Sequence, residues 1–397
     1  MSHEEDIRGR GRPAQRQPTV LVVATVAGTL GSFLQSHATK ATEDGWIVHG
    51  AANLDGSDIS RDGWASLSHI PLRRGISAPL QLLRSGREIK RLCRELRPDI
   101  LHVHTPVAAG ICRLAIGLGN RRNRPIIVYT AHGFHAHPHG SFLGNLSAIL
   151  IERLLQPATD KLIVLNNYDL ALALGPMGYR AEDVVIMHGI GLHLRHYRPD
   201  RSVSQAAGEL ARRLGLDTKS DFVVAFVGEL NDNKRPSDLV SALEHIGDSS
   251  LVAIFAGAGD PPAGARDVLR PNVRTHFIGR IADVRQLLEL SDLVVSCSSR
   301  EGLPRSLLEA ISFGRPILTS TARGSVDLAV DPAAIYEVGN TVELADRIRQ
   351  FARDDGMRRR VAAAQRASLE LYSFESVYSE VMSLYTRALT EWKGRSL

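Results

Sequence analysis

Cysteine is scarce. The chain holds three in 397 residues, Cys93, Cys112 and Cys297, and none sits in a C-x-x-C pair. An odd count without such pairs argues against a disulfide framework and a thiolate zinc site, and suits a reducing cytosol. No apolar run approaches the ~18 residues a membrane-spanning helix needs. The first seventeen residues carry Arg8, Arg10, Arg12 and Arg16 but no apolar stretch. These residues do not read as a signal peptide, and a disordered tail is expected over 1–17. Short repeats and low-complexity tracts are absent. A formal charge of +5 is too modest to indicate nucleic acid by itself.

What is present is the balance of a soluble globular protein, 44% apolar and 23% charged residues. The length suits two domains of ~150–200 residues. Thr19 to Val26 is a continuous β-branched and apolar run, the mark of a buried parallel strand. Strands are predicted next at 46–51, 69–72, 99–104, 125–131, 161–165 and 184–187. Helices are expected between them, notably 78–96, 107–117 and 142–155. Residues 188–220 read as a polar connector with one short helix. The alternation then restarts, with strands at 221–227, 251–256, 273–278, 293–296 and 316–319 and a helix at 236–245. Strands alternating with helices at this spacing imply βαβ units and parallel sheets. The tail from about Thr341 reads as helical, ending in a helix near 373–391.

Ligands of such sheets bind beyond the carboxyl ends of the strands. Residues 298–314 read S-S-R-E-G-L-P-R-S-L-L-E-A-I-S-F-G. Here a strand gives way to a loop and then to a helix starting near Pro304, a residue suited to a first helical position. Such a helix start, with the N–H groups of Arg305 and Ser306, offers an anion site. Glu301 precedes it and Glu309 lies a turn inside. Two acceptor-only carboxylates suit sugar hydroxyls. Spacing alone leaves them equally readable as a capping residue and an exposed face residue. A second cluster, V-G-E-L-N-D-N-K at 227–234, places the Lys234 ammonium within reach of a phosphate. Gly257 and Gly259 end the next strand and allow close backbone approach.

The E-G-L-P-R-S-L-L-E-A segment, the G-x-L-x-x-x-K segment and the strand-end glycines together resemble the retaining family 4 glycosyltransferases. In the first half L-H-V-H-T-P (101–106), Y-T-A-H-G-F-H (129–135) and H-G-I-G-L (188–192) resemble the subgroup building bacterial exopolysaccharide, capsule and lipid-linked glycans. The match runs from about 19 to 390. The resemblance implies an α/β chain of two Rossmann-like domains facing a cleft, the glycosyltransferase-B fold. An acceptor-binding domain would span 18–195 and a nucleotide-sugar domain 196–372. A helix over 373–397 would pack back on the first.

The resemblance also implies roles. Glu301 touches the donor sugar's hydroxyls, Glu309 the ribose, and Lys234 the diphosphate. Gly228, Gly257, Gly302, Leu303 and Ser306 line the donor site. Many relatives carry arginine where this chain has Glu229, so Arg305 or Arg280 is expected to supply that charge. Pro304 removes one backbone donor there. His132 is expected near the transferred sugar, with Glu301 as its catalytic companion. Gly28, Gly31 and His104 would shape the acceptor side. Four histidines in one loop, His132, His135, His137 and His139, also fit a zinc site. The resemblance already accounts for His132 and His135, and no D-x-D pair stands at a strand end. No metal or cofactor is therefore expected.

Residues 73–124 hold twelve basic residues against three acidic ones. Arg84, Arg87, Arg91 and Arg94 share one face of the predicted 78–96 helix, with Leu82, Leu83, Ile89, Leu92 and Leu96 as its apolar side. This reads either as a solvated outer face or as a surface for anionic lipid. Nucleic acid is not an expected partner, since no aromatic residue interleaves with the arginines.

The expectation is a transferase that uses a UDP-sugar. Its acceptor would be a lipid-linked or polysaccharide precursor at the cytoplasmic face of the membrane. A nucleotide-sugar 2-epimerase of the same fold, an inactive sugar-nucleotide-binding subunit and a transferase acting on a soluble natural product remain open alternatives.

Overall fold

The structure, a computed structural model, describes residues 16–72, 79–262 and 274–394. The expected tail over 1–17 lies almost wholly outside these residues. Two parallel sheets organise the chain. The first contains β1 (Thr19–Val26), β2 (Ile47–Asn53), β3 (Ser66–His69), β4 (Ile100–His104), β5 (Ile126–Ala131), β6 (Lys161–Val164) and β7 (Val184–Ile186), in the order β3-β2-β1-β4-β5-β6-β7. The second contains β8 (Phe222–Val227), β9 (Leu251–Ala256), β10 (Arg274–Gly279), β11 (Leu293–Ser296), β12 (Ile317–Ser320) and β13 (Ile335–Tyr336), in the order β10-β9-β8-β11-β12-β13. In each sheet the strand order reverses once, beside β1 and beside β8. Crevices for ligands open at such switch points.

The strands are parallel because both their faces are covered. Seven of the eight β1 residues are buried, and β4, β5, β6 and β9 are buried throughout. Helices α1 (Gln35–Glu43), α2 (Pro79–Leu96), α3 (Pro106–Cys112), α4 (Phe142–Leu155) and α5 (Asn167–Leu174) connect the first sheet. Then follow α6 (Arg201–Leu214), α7 (Pro236–Ile246), α8 (Arg285–Leu290), α9 (Arg305–Phe313), α10 (Val326–Ala329), α11 (Thr341–Arg353), α12 (Asp355–Arg366) and α13 (Phe374–Gly394). Side-chain oxygens of Ser141, Asn166, Asp200, Asn340 and Asp354 cap the starts of α4, α5, α6, α11 and α12. Gly215, Gly247 and Gly314 end α6, α7 and α9 in the left-handed region.

The chain divides into two compact units. One comprises the described residues up to Tyr129, with Pro157–Asp160 and the chain from Ala388. The other comprises Thr130–Gln156 and Lys161–Arg387. The end of α13 thus returns to the first unit, where the Arg124 guanidinium lies 5.4 Å from the Trp392 ring.

Four details depart from the sequence expectation. The third strand is Ser66–His69 and not 69–72. Ile70 and Leu72 are buried in the coil that follows, so their apolar character marks core and not strand. The connector helix is a full 14 residues, started by Asp200. The helix expected over 107–117 is α3 followed by a π-helical stretch, Arg113–Gly117. On α2, Ile89 and Leu92 are buried, but Leu83 is 58% exposed and does not belong to the packed side.

Candidate donor site

Lys234, Gly228, Glu301 and Gly302, expected from the sequence in the donor site, stand at the switch point of the second sheet. Strands β8 and β11 are neighbours, with Leu293 opposite Val224 and Val294 opposite Ala225. The loop leaving β8 carries Gly228, Glu229 and Lys234, and the loop leaving β11 carries Glu301 and Gly302. Adjacency of the two strands brings the loops together. Lys234 Nζ donates to Glu301 Oε1 at 2.6 Å, and both side chains are largely shielded. Ser299 N also donates to the Asn233 carbonyl at 2.8 Å. The lysine stem runs over Gly228, whose Cβ, if present, would stand 3.6 Å from the Lys234 methylenes. Beneath it, Gly257 allows an approach no other residue permits. A Cβ there would meet the Gly228 carbonyl oxygen at 1.7 Å.

Glycine also governs the Glu301 loop. A Cβ on Gly302 would meet the His132 carbonyl oxygen at 2.2 Å. One on Gly324, whose φ is +73°, would meet the Gly302 carbonyl oxygen at 2.1 Å. Gly133, with φ +107°, would bring a Cβ within 3.3 Å of Gly302 Cα. Three backbones thus lie in direct contact, and Glu301 and His132 sit at either side of that contact.

Buried polar groups fix the stack. Arg323 donates to the carbonyls of Ala136 (2.6 Å) and Phe134 and to Asp169 Oδ1 (2.7 Å). Asn166 Nδ2 donates to Asp169 Oδ2 and to the Gly302 carbonyl, both at 2.9 Å. The Arg323 and Asp169 side chains are 3% and 0% exposed. Desolvation pushes the Asp169 pKa up and the Arg323 pKa down, each opposed by the partner's charge. Burial lowers His132 to about 4, so it is neutral near pH 7. His135 and His137 are also lowered, first by burial. His137 is tied to the start of α4 through Asn145, which donates to its carbonyl at 2.9 Å.

Helix α9 begins at Arg305, with Pro304 as its N-cap residue. Glu309 Oε1 accepts from the Tyr197 hydroxyl at 2.7 Å and from Arg305 Nε at 2.9 Å. Tyr197 is pushed up to about 12 by burial and then by the Glu309 carboxylate. Arg305, one of two candidates to replace the charge absent at Glu229, therefore serves Glu309. Arg280, the other, is exposed just after β10. Ser306 is half-buried beside Arg305. Leu303 packs over Gly189, where a Cβ would stand 2.7 Å from Leu303 Cδ2.

Gly28 and Gly31 follow β1 and His104 is the last residue of β4, at the first sheet's own switch point. Gly31 lies against Ile59, while Gly28 has open space. His104 is buried, its ring centroid 4.2 Å from that of His102. The next residue, Thr105, has φ +72° and shares a 2.5 Å hydroxyl contact with Thr25. Among the described residues no group of three His, Cys, Asp or Glu stands close enough to hold a metal.

Sequence reasoning did not single out Asn166, Asp169, Tyr197, Arg323 or Gly324. Asn166 had one legible signal, a cap residue at a strand end with an acid three positions on. Tyr197, Arg323 and Gly324 carry no local signature, because what they touch lies far away in the sequence.

The sequence matches two family descriptions in succession, Glycosyltransferase Family 4 over residues 32–190 and Glycosyl transferases group 1 over residues 209–368. EpsD of Bacillus subtilis, assigned as a glycosyltransferase, is 29% identical over 92% of this chain and 96% of its own. An Escherichia coli UDP-Gal:alpha-D-GlcNAc-diphosphoundecaprenol alpha-1,3-galactosyltransferase is 26% identical over 61% of this chain and 63% of its own. Among solved structures, Anabaena HepE in complex with UDP superimposes with a TM-score of 0.72 at 18% identity, covering 93% of this chain and 100% of that one. With two parallel Rossmann-like sheets and both halves matched in order, the chain belongs to the family 4 glycosyltransferases and has the glycosyltransferase-B fold.

Proposed function

We propose that this glycosyltransferase is a retaining, metal-independent enzyme. It moves a sugar from UDP to a lipid-linked or polysaccharide-precursor acceptor in bacterial surface-glycan synthesis. The observation that carries the reading is the Lys234–Glu301 pair at the switch point of the second sheet. It is a cation and an acceptor carboxylate, held ready where a diphosphate and a sugar would lie side by side.

On donor binding, Lys234 Nζ turns from Glu301 to the diphosphate, and the positive end of α9 adds to the field there. Glu301 is then released to accept from the sugar hydroxyls. Glu309, oriented by Tyr197 and Arg305, accepts from the ribose. Neutral His132 lies beside the transferred sugar. The C1–phosphate oxygen bond breaks while the acceptor oxygen bonds C1 on the same face, and the acceptor's proton passes to the leaving phosphate oxygen. Catalysis is mainly positioning and electrostatic stabilisation of that leaving group. Gly28, Gly31 and His104 belong to the acceptor side. The UDP assignment draws support from the donor named for the E. coli relative and the UDP held by HepE. The acceptor assignment draws support from the diphosphoundecaprenol acceptor of that same relative. In this reading the enzyme works at the inner membrane face, with the exposed arginines of α2 toward anionic lipid.

A thermal-shift screen of nucleotides tests the donor, because a ligand selective for the native state raises its apparent stability. UDP and a UDP-sugar are expected to raise Tm, and Lys234→Ala to abolish most of that rise. A larger rise with a purine nucleotide would overturn the UDP assignment. The anomeric coupling in the product's NMR spectrum tests retention, and full activity in EDTA tests metal independence.

A further inference from the structure

Helix α4 is built against the usual rule for a surface helix. Its sequence, FLGNLSAILIERLL, is largely apolar, yet only Glu152 and Leu155 are buried. Phe142, Leu143, Leu146, Leu150, Ile151 and Leu154 are all exposed, from 42% at Leu146 to 79% at Phe142. At 3.6 residues per turn these six spread over roughly half the circumference of a helix about 21 Å long. The polar side chains on that half are Ser147 and Arg153. The helix's one carboxylate, Glu152, points inward, where the Tyr179 hydroxyl contacts it at 3.5 Å. The order is therefore inverted: the acid is buried and the leucines face out.

The shape of this patch decides its partner. A second helix covers a narrow seam of apolar residues. A convex half-cylinder of six large apolar groups is matched instead by a medium that closes around it. The charge agrees, since the exposed half carries the Arg153 cation and no anion. We propose that α4 is a lipid-facing surface. Its apolar half sinks into the headgroup boundary of an anionic bilayer, with Arg153 at the phosphate level. This contact is separate from the donor site. It also differs from the arginine face of α2, where exposed Leu80 and Leu83 stand among four arginines.

Sedimentation with phosphatidylglycerol–phosphatidylethanolamine vesicles tests it, at low and at high salt. High salt screens a purely electrostatic contact and spares apolar insertion. The unaltered protein is expected to sediment with vesicles at both. Leu146→Glu/Leu150→Glu, and the milder Leu143→Ser/Leu154→Ser, are expected to weaken high-salt binding about tenfold or more. All four positions are exposed, and an unchanged Tm for each variant reports an intact fold. Leu150→Trp adds a positive readout, a blue shift of its fluorescence on adding vesicles. Binding that is unaffected by the α4 variants, or that disappears at high salt, would overturn the proposal. So would light scattering that shows a dimer which the α4 variants dissociate. The UDP-induced rise in Tm reports on the donor site alone, so the two readings fail separately.

Discussion

Gly302 has no room to change. A Cβ would meet the His132 carbonyl oxygen at 2.2 Å, and that atom is backbone and cannot swing aside. Gly302→Ala is expected to destabilise the protein by roughly 1–3 kcal/mol through overpacking and to weaken UDP binding by pushing Glu301 from Lys234. Gly28→Ala, with nothing within 4 Å, is the control and is expected to leave Tm unchanged. The Arg323–Asp169 pair is the more severe case. Asp169→Ala leaves a buried guanidinium without its carboxylate, a loss of about 3–5 kcal/mol readable by urea unfolding. His132 sets a pH dependence. Burial lowers its pKa from 6.5 to about 4, so on acidification the unfolded chain takes up the proton first. The stability this neutral imidazole contributes is complete above 6.5 and is lost as pH falls toward about 4. His132→Gln is expected to flatten part of that slope in unfolding curves measured between the two values.

Elements differ in how plainly the sequence announces them. Strands β9 and β11 fall where their residues predict because each is an apolar stretch closed by turn residues, and helix α4 does so because a largely apolar run follows its Ser141 cap. Strand β3 is displaced, since burial of Ile70 and Leu72 in coil imitates a strand. Strand β13 spans two residues, too few for any periodicity. The site divides in the same way. Strand-end position draws attention to Lys234 and Glu301, but spacing alone leaves Glu301 and Glu309 open to a capping and surface reading, and the family resemblance is what singles them out. Asn166, Asp169 and Arg323 act through partners 136 to 189 positions distant in sequence, and no local pattern encodes that. Helix starts give a further test. The Asp200 carboxylate accepts from Val203 N at 3.0 Å at the head of α6. Asp200→Ala is expected to cost about 1 kcal/mol, checked by thermal unfolding, while the UDP-induced shift is retained.

At the scale of the whole molecule, the first unit is assembled from three separate pieces of chain. One runs to Tyr129, one is the short stretch Pro157–Asp160, and one is the chain from Ala388. The short piece matters through Asp160, which accepts from Arg124 Nη2 at 3.1 Å and from Ile127 N at 2.8 Å. The last piece matters through Trp392 beneath the same arginine. Trp392→Ala is expected to lower Tm without abolishing the UDP-induced shift, which depends on residues of the other unit. Arg124 therefore has one partner made early and one made late. A ribosome delivers Arg124 and Asp160 long before Trp392, so the first unit waits through the synthesis of more than half the chain before its last piece arrives. Domains fold as units, so the contacts that Ala388 onward makes in this unit form only after the segments to Tyr129 and 157–160 have been made.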